Sequence, residues 1–345
     1  MEPTTGSEAV VESGSDPLES QHQDGAGRGT VWRRVAPALG LFFLAPLVGE
    51  YLLGNVPFST IAGVFVLAPM YGGGALLIRE VARRSGRGWP TILVLALAYG
   101  VLQPSLIDHS MFYPPSLEGL DFGEAAFIPA LGISAASAVA FPLGHAIWSI
   151  GVPIAIVESF VPDHRTTPWL GRLGLTVAGV AFLLGSALIF SDSLQTLPTV
   201  PQAVGAAAAV VALTCTAFVI GRQPSPKIDR PAPDPWLVGV VAFVASSLFF
   251  GKSETWLGLA FGLGLLALMV VVIARWSRRE GWGAAHRLGL AGGALLTYAW
   301  GGFVLTALYG RTGAIDLIGN VILALAAIAL LAAALRTVHK TKGTT

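Results

Sequence analysis

Five polar side chains fall where long apolar stretches would otherwise carry only hydrocarbon: Glu50, Gln103, His145, Tyr298 and Asn320. A carboxylate and an imidazole in weakly polar surroundings can act as an acid/base pair or a proton relay. Ionisable groups at membrane depth are costly, so each one is a candidate site. Asp108 and His109 follow one of these stretches and open a segment, roughly 108–131, rich in aromatics and acids (Glu118, Asp121, Glu124) with a Pro114-Pro115 pair. A loop of this length with apolar content is expected to be ordered, as an outer lid over the polar residues.

Composition defines the elements that must position these groups. Charged residues are 12% of the 345-residue chain and hydrophobic residues 54%. Crossing the hydrocarbon core takes about 20 predominantly apolar residues. Ten stretches qualify, at roughly 36–55, 59–79, 90–108, 132–161, 169–190, 203–221, 235–251, 255–275, 286–309 and 314–335. They are too long for barrel strands and lack a two-residue alternation. The expected fold is an all-α polytopic bundle of about ten transmembrane helices.

Alternating the ten stretches puts 19 of the 21 basic residues on one side, leaving only Lys252 and Arg311 on the other. Because positive charge accumulates on the cytoplasmic face, a cell-membrane protein with both termini inside is expected. Measured from the inner ends, Glu50 then lies roughly 22 Å up its helix, Gln103 roughly 20 Å, His145 and Asn320 roughly 24 Å, and Tyr298 roughly 18 Å. The five form one layer in the outer third, with Asn55, Asp108 and His109 just above. One reading is a shared polar cavity open to the outside. The other has Glu50 and Asn55 snorkelling to the interface and Gln103 and His145 bonding to nearby backbone.

Five regions follow. Residues 1–34 carry six acids and no apolar run, which predicts a disordered cytoplasmic tail rather than a cleaved signal peptide. Residues 35–221 hold the first six helices and most of the intramembrane polar groups. The linker at 222–235 holds five prolines and is expected to be stiff and non-helical. Residues 236–336 hold the last four helices, and 337–345 form a second cytoplasmic tail. Within the second helix, Gly72, Gly73 and Gly74 are read either as a hinge or as a site of close packing. At its inner end Arg79, Glu80, Arg83 and Arg84 stand near the level of Glu158, and pairing of Glu80 with Arg84 and of Glu158 with Arg79 is expected.

Several chemistries are excluded by missing motifs. There is no G-x-x-x-x-G-K-[ST] loop and no H-E-x-x-H element. An Asp-rich pair for magnesium diphosphate is missing as well, and the lone Cys215 allows no internal disulfide. No metal and no cofactor is expected. The basic residues are dispersed along a membrane face, which excludes nucleic acid as a partner. The expected partners are the lipid bilayer and a small-molecule or lipid substrate.

Phe141-Pro-Leu-Gly-His145 is an F-x-x-x-H element inside a membrane helix and resembles the second motif of the CAAX-protease-like (CPBP) intramembrane proteases. That resemblance implies a histidine supporting a water activated by a Glu-Glu pair upstream. Here the corresponding stretch, Gly100 to Asp108, has Gln103-Pro104 instead. The layout is also similar to multi-pass membrane proteins of high-GC actinobacteria, and its span count and orientation resemble the drug/metabolite transporters. Three function classes remain open: a transporter or permease, an intramembrane enzyme using Glu50 and His145, and a non-catalytic membrane subunit.

Overall fold

The computed structural model describes residues 35–113, 126–220, 226–311 and 313–342. The acidic segment 1–34, residues 114–125 of the long loop and the start of the proline-rich linker lie outside the described residues. Nine described helices are long and apolar enough to cross a membrane: α1 Val35–Leu52, α2 Phe58–Arg84, α3 Trp89–Ile107, α4 Ala135–Phe160, α5 Arg172–Asp192, α6 Val200–Val219, α8 Trp256–Trp276, α9 Ala284–Leu308 and α10 Ala314–Lys340. A further apolar helix, α7 Pro235–Phe250, has 16 residues. At 1.5 Å per residue it reaches roughly 24 Å, short of a hydrocarbon core about 30 Å thick. The architecture is that of an all-α polytopic membrane protein.

The helices sort into two groups by burial. In α1–α4 and α9, between 56% and 67% of each apolar window is buried, against 6–22% in α5, α6, α8 and α10. Where the solvent is lipid, apolar side chains on the outside cost nothing, so the exposed Leu, Val and Phe of the outer helices are the expected surface. One apolar cluster ties α1–α4 together through Leu41, Met70, Ile92 and Ile150. A second packs Val48, Trp148, Ile156, Leu288 and Leu295, joining α9 to α1 and α4. A helix from beyond the proline-rich linker is therefore part of the centre. The linker itself is non-helical where described. Its strand β3 (Ile228–Pro231) pairs in parallel with β4 (Arg279–Glu280), between α8 and α9. Strands β1 (Phe127–Ile128) and β2 (Ile133–Ser134) form a short antiparallel hairpin ahead of α4.

The three consecutive glycines do not unwind α2, which is helical throughout Val64–Arg84. A Cβ on Gly72 would come within 2.0 Å of the Phe42 carbonyl oxygen on α1, and one on Gly74 within 2.7 Å of the Tyr99 ring on α3. The segment is a packing site, where missing side chains let α1 and α3 approach α2 closely.

At the basic end, Arg79 is fully buried in a network. Its guanidinium pairs with Glu80 at 2.6 Å and Glu158 at 3.2 Å. It donates to the carbonyls of His164, Arg165 and Thr167 and stacks over the Trp169 ring at 3.5 Å. Arg83 adds a two-point contact to Glu158 at 3.0 and 2.7 Å. Glu80 also accepts the backbone N–H groups of Trp169 and Leu170. The pairing expected of Glu80 with Arg84 is present but longer, at 3.7 Å. Both buried carboxylates have cationic partners, which is the condition for holding ions in a low-dielectric interior. The network anchors the α4–α5 connection to α2.

Candidate functional site

Three π-helical turns interrupt the central helices: Leu47–Leu52 in α1, Gln103–Ile107 in α3 and His145–Gly151 in α4. Each carries one of the polar residues singled out in the sequence, namely Glu50, Gln103 and His145. A π-turn inserts an extra residue per turn, re-aims the side chains around it and occurs frequently at functional sites. All three turns adjoin prolines, Pro46 immediately preceding the turn in α1. Pro104 follows Gln103 directly, and Pro142 lies three residues before His145. Gly100 permits the crossing of α3 and α4 here, because a Cβ on it would lie 2.2 Å from the Pro142 carbonyl oxygen.

The three groups meet on Tyr71 of α2. Its hydroxyl is 2.5 Å from Glu50 Oε1 and 3.3 Å from His145 Nε2, and it accepts from Gln103 Nε2 at 3.4 Å. Gln103 Nε2 also donates to Asp108 at 2.7 Å. The other oxygen of Glu50 accepts from Asn55 Nδ2 at 2.6 Å, and Asn55 Oδ1 accepts from the Tyr309 hydroxyl at 3.0 Å. A continuous hydrogen-bonded chain thus runs from exposed Asn55 through buried Glu50 and Tyr71 to His145 on one branch and to Gln103 and Asp108 on the other. Arg311 braces the outer end by donating to the carbonyls of Gly54 and Asn55.

The orientation of His145 is set by its other nitrogen. Nδ1 lies 2.8 Å from the Phe141 carbonyl oxygen, which can only accept, so Nδ1 carries a hydrogen and Nε2 is left facing Tyr71. The imidazole is stacked on the Tyr71 ring with centroids 5.9 Å apart. Tyr99 completes this wall, its ring 6.3 Å from both. Two buried polar atoms at the site have no hydrogen-bond partner among the described residues, Tyr99 Oη and Gln103 Oε1. A buried donor and a buried acceptor left unpaired at one site are costly and call for an explanation in terms of what they bind.

The remaining sequence candidates are distributed differently. Tyr298 is held by face-to-face stacking on Trp148, at 4.3 Å, beside the site but outside the hydrogen-bonded chain. Asn320 stands apart, donating to Thr306 and the Gly302 carbonyl and tying α10 to α9. Asp108 joins the chain through Gln103. His109 does not cover it: the buried ring turns to the Ser193 carbonyl at the end of α5 and packs on Phe190. Tyr71 and Tyr99 were not among the sequence candidates, because a tyrosine within an apolar run reads as one more aromatic. The one available signal was the position of Tyr71 immediately before the glycine triplet. Among the described residues no group of three or more His, Cys, Asp or Glu could hold a metal ion.

A five-helix core with polar groups on distorted turns, sheathed by apolar helices, defines an integral membrane protein of the multi-pass helical class. The chain belongs to a family described as an uncharacterized membrane protein family, whose model matches residues 39–342. No curated protein matches the chain, and no solved structure does.

Proposed function

We propose that the protein is a transporter of a small solute, oriented with its basic face inward, and that it couples solute movement to a proton on the Glu50–Tyr71–His145 chain. The observation that carries this reading is the single hydroxyl joining a buried carboxylate to an oriented imidazole. The chain has two self-consistent proton arrangements. With Glu50 ionised, Tyr71 donates to it and an imidazolium Nε2–H donates to Tyr71. With Glu50 protonated, Glu50 donates to Tyr71 and Tyr71 donates to neutral His145. Passing between them moves one proton across one phenol and turns an ion pair into a neutral pair. A group entering against Tyr99 Oη and Gln103 Oε1 would sit beside this pair and bias its choice, which is what coupling requires.

The experiment is a solute screen on full-length protein in liposomes loaded with a pH-sensitive dye. Solute-dependent proton movement is expected for the wild type and is expected to vanish in Glu50→Gln and His145→Ala, with folding checked by size-exclusion profile. Folded Glu50→Gln protein that moves protons and solute like the wild type would overturn the coupling.

The fixed tautomer of His145 favours a second reading, an intramembrane enzyme. A histidine held at Nδ1 with Nε2 free is arranged as a general base, and Glu50 lies one hydroxyl away. Under this reading, turnover of a lipid or isoprenoid substrate would require Glu50 and His145, and no solute would move protons.

A further inference from the structure

Far from the Glu50 chain, the basic end contains a narrow cleft, partly open to the surface and lined by Trp89, Ala155, Glu158, Ser159, Arg165, Ala284 and Arg287. His145 and Glu158 are 13 positions apart on α4, roughly 20 Å along the helix, so the two places are separate. Three walls of the cleft offer only donors. Trp89 Nε1 is buried and meets no acceptor. Among the described residues the guanidinium groups of Arg165 and Arg287 make no hydrogen bond and no ion pair. Trp89 and Ala284 are also the first residues of α3 and α9, so two helix N-termini, with their partial positive charge, converge there. The acidic and hydroxyl groups on the fourth wall are already engaged. Glu158 is held by Arg79 and Arg83, and Ser159 Oγ donates to the Ala155 carbonyl.

We propose that this cleft between the first turns of α3 and α9 and the last turn of α4 binds a phosphate oxyanion, held by Arg165, Arg287 and the Trp89 indole N–H. Planar guanidinium groups match phosphate oxygens two at a time, and the indole supplies a directed neutral donor. A membrane protein can meet such a group in two forms, the headgroup of an anionic lipid or a soluble phosphate. The proposal is independent of the transport reading.

The test uses purified full-length protein, read by melting temperature and by native mass spectrometry, with three probes: phosphatidylglycerol vesicles, phosphatidylcholine vesicles and inorganic phosphate. The variants are the double substitution Arg165→Ala with Arg287→Ala, its double lysine counterpart, and Trp89→Phe. The Arg165 side chain can be cut without touching the buried network, because Arg79 holds the Arg165 carbonyl, not its guanidinium. The melting temperature without probe shows whether each variant folds. The expected result is one retained phosphatidylglycerol and a stabilisation that phosphatidylcholine does not give. The double alanine variant should weaken the apparent affinity by roughly tenfold or more, with the double lysine variant in between. If inorganic phosphate gives the same arginine-dependent stabilisation, the oxyanion is confirmed and its source is soluble. Equal retention and stabilisation of wild type and double alanine variant with every probe would overturn the site.

Discussion

Replacing Tyr71 by Phe removes one oxygen atom and leaves the packing in place. The ring keeps its contacts with Tyr99 and His145, and every partner of the lost hydroxyl keeps a second bond. Glu50 retains Asn55 at 2.6 Å, Gln103 retains Asp108 at 2.7 Å and His145 retains Phe141 at 2.8 Å. Losing a bond to a carboxylate costs about 1.5–3 kcal/mol; Glu50 Oε1 and His145 Nε2 lose their hydrogen-bond partner, while each side chain stays held through its other polar atom. The variant should therefore fold, melting a few degrees lower. The effect on function should be far larger, because Glu50 and His145 share no other bridge. General acid–base steps contribute roughly 10²–10⁴-fold, and a broken relay forfeits that factor. The assay is initial rate of solute-dependent proton movement in proteoliposomes, beside a thermal melt of the same preparation. Groups acting as a unit are non-additive, so the double variant Tyr71→Phe with Glu50→Gln should be no slower than either single one. Folded Tyr71→Phe protein working within about twofold of wild type would refute the relay.

Four further outcomes follow from the packing. Gly100→Ala should destabilise by about 1–3 kcal/mol by pushing α4 off α3, whereas Gly40→Ala, with open space around it, should be near neutral; melting temperatures separate them. Glu158→Ala leaves Arg79 and Arg83 facing each other in the interior and should cost about 3–5 kcal/mol, visible as lost monodisperse yield. Arg84→Ala, at a third-exposed side chain with a 3.7 Å contact, should cost under about 1 kcal/mol in the same assay. Asn320→Ala should lower the melting temperature slightly, by the roughly 0.6 kcal/mol of an average interhelical hydrogen bond, and leave proton movement unchanged.

The comparison of α2 with α4 shows how much of the site was legible in the residues alone. His145 and Glu50 stood out because a charge-bearing group in an apolar run is costly, and cost is a local property of sequence. Tyr71 did not stand out, since its ring is at home in lipid and only its neighbours turn its hydroxyl into a bridge. Depth along a helix put Asn320 level with the others, but depth carries no azimuth, and its helix faces Thr306. His109 likewise follows Asp108 directly and yet turns the other way, its backbone in the left-handed region at φ 62°.

Hydropathy, charge asymmetry and the cost of burying ions determined from sequence that this is a polytopic helical protein, and which carboxylate and imidazole to examine. These signals add along the chain and need no knowledge of neighbours. Only the tertiary structure decided that α9 joins the centre, that three π-turns aim Glu50, Gln103 and His145 at one phenol, and that two helix N-termini meet two arginines at the basic end. Those features depend on which helices touch and at what rotation. Close approach at Gly72 and Gly100 sets that rotation, through side chains that are not there.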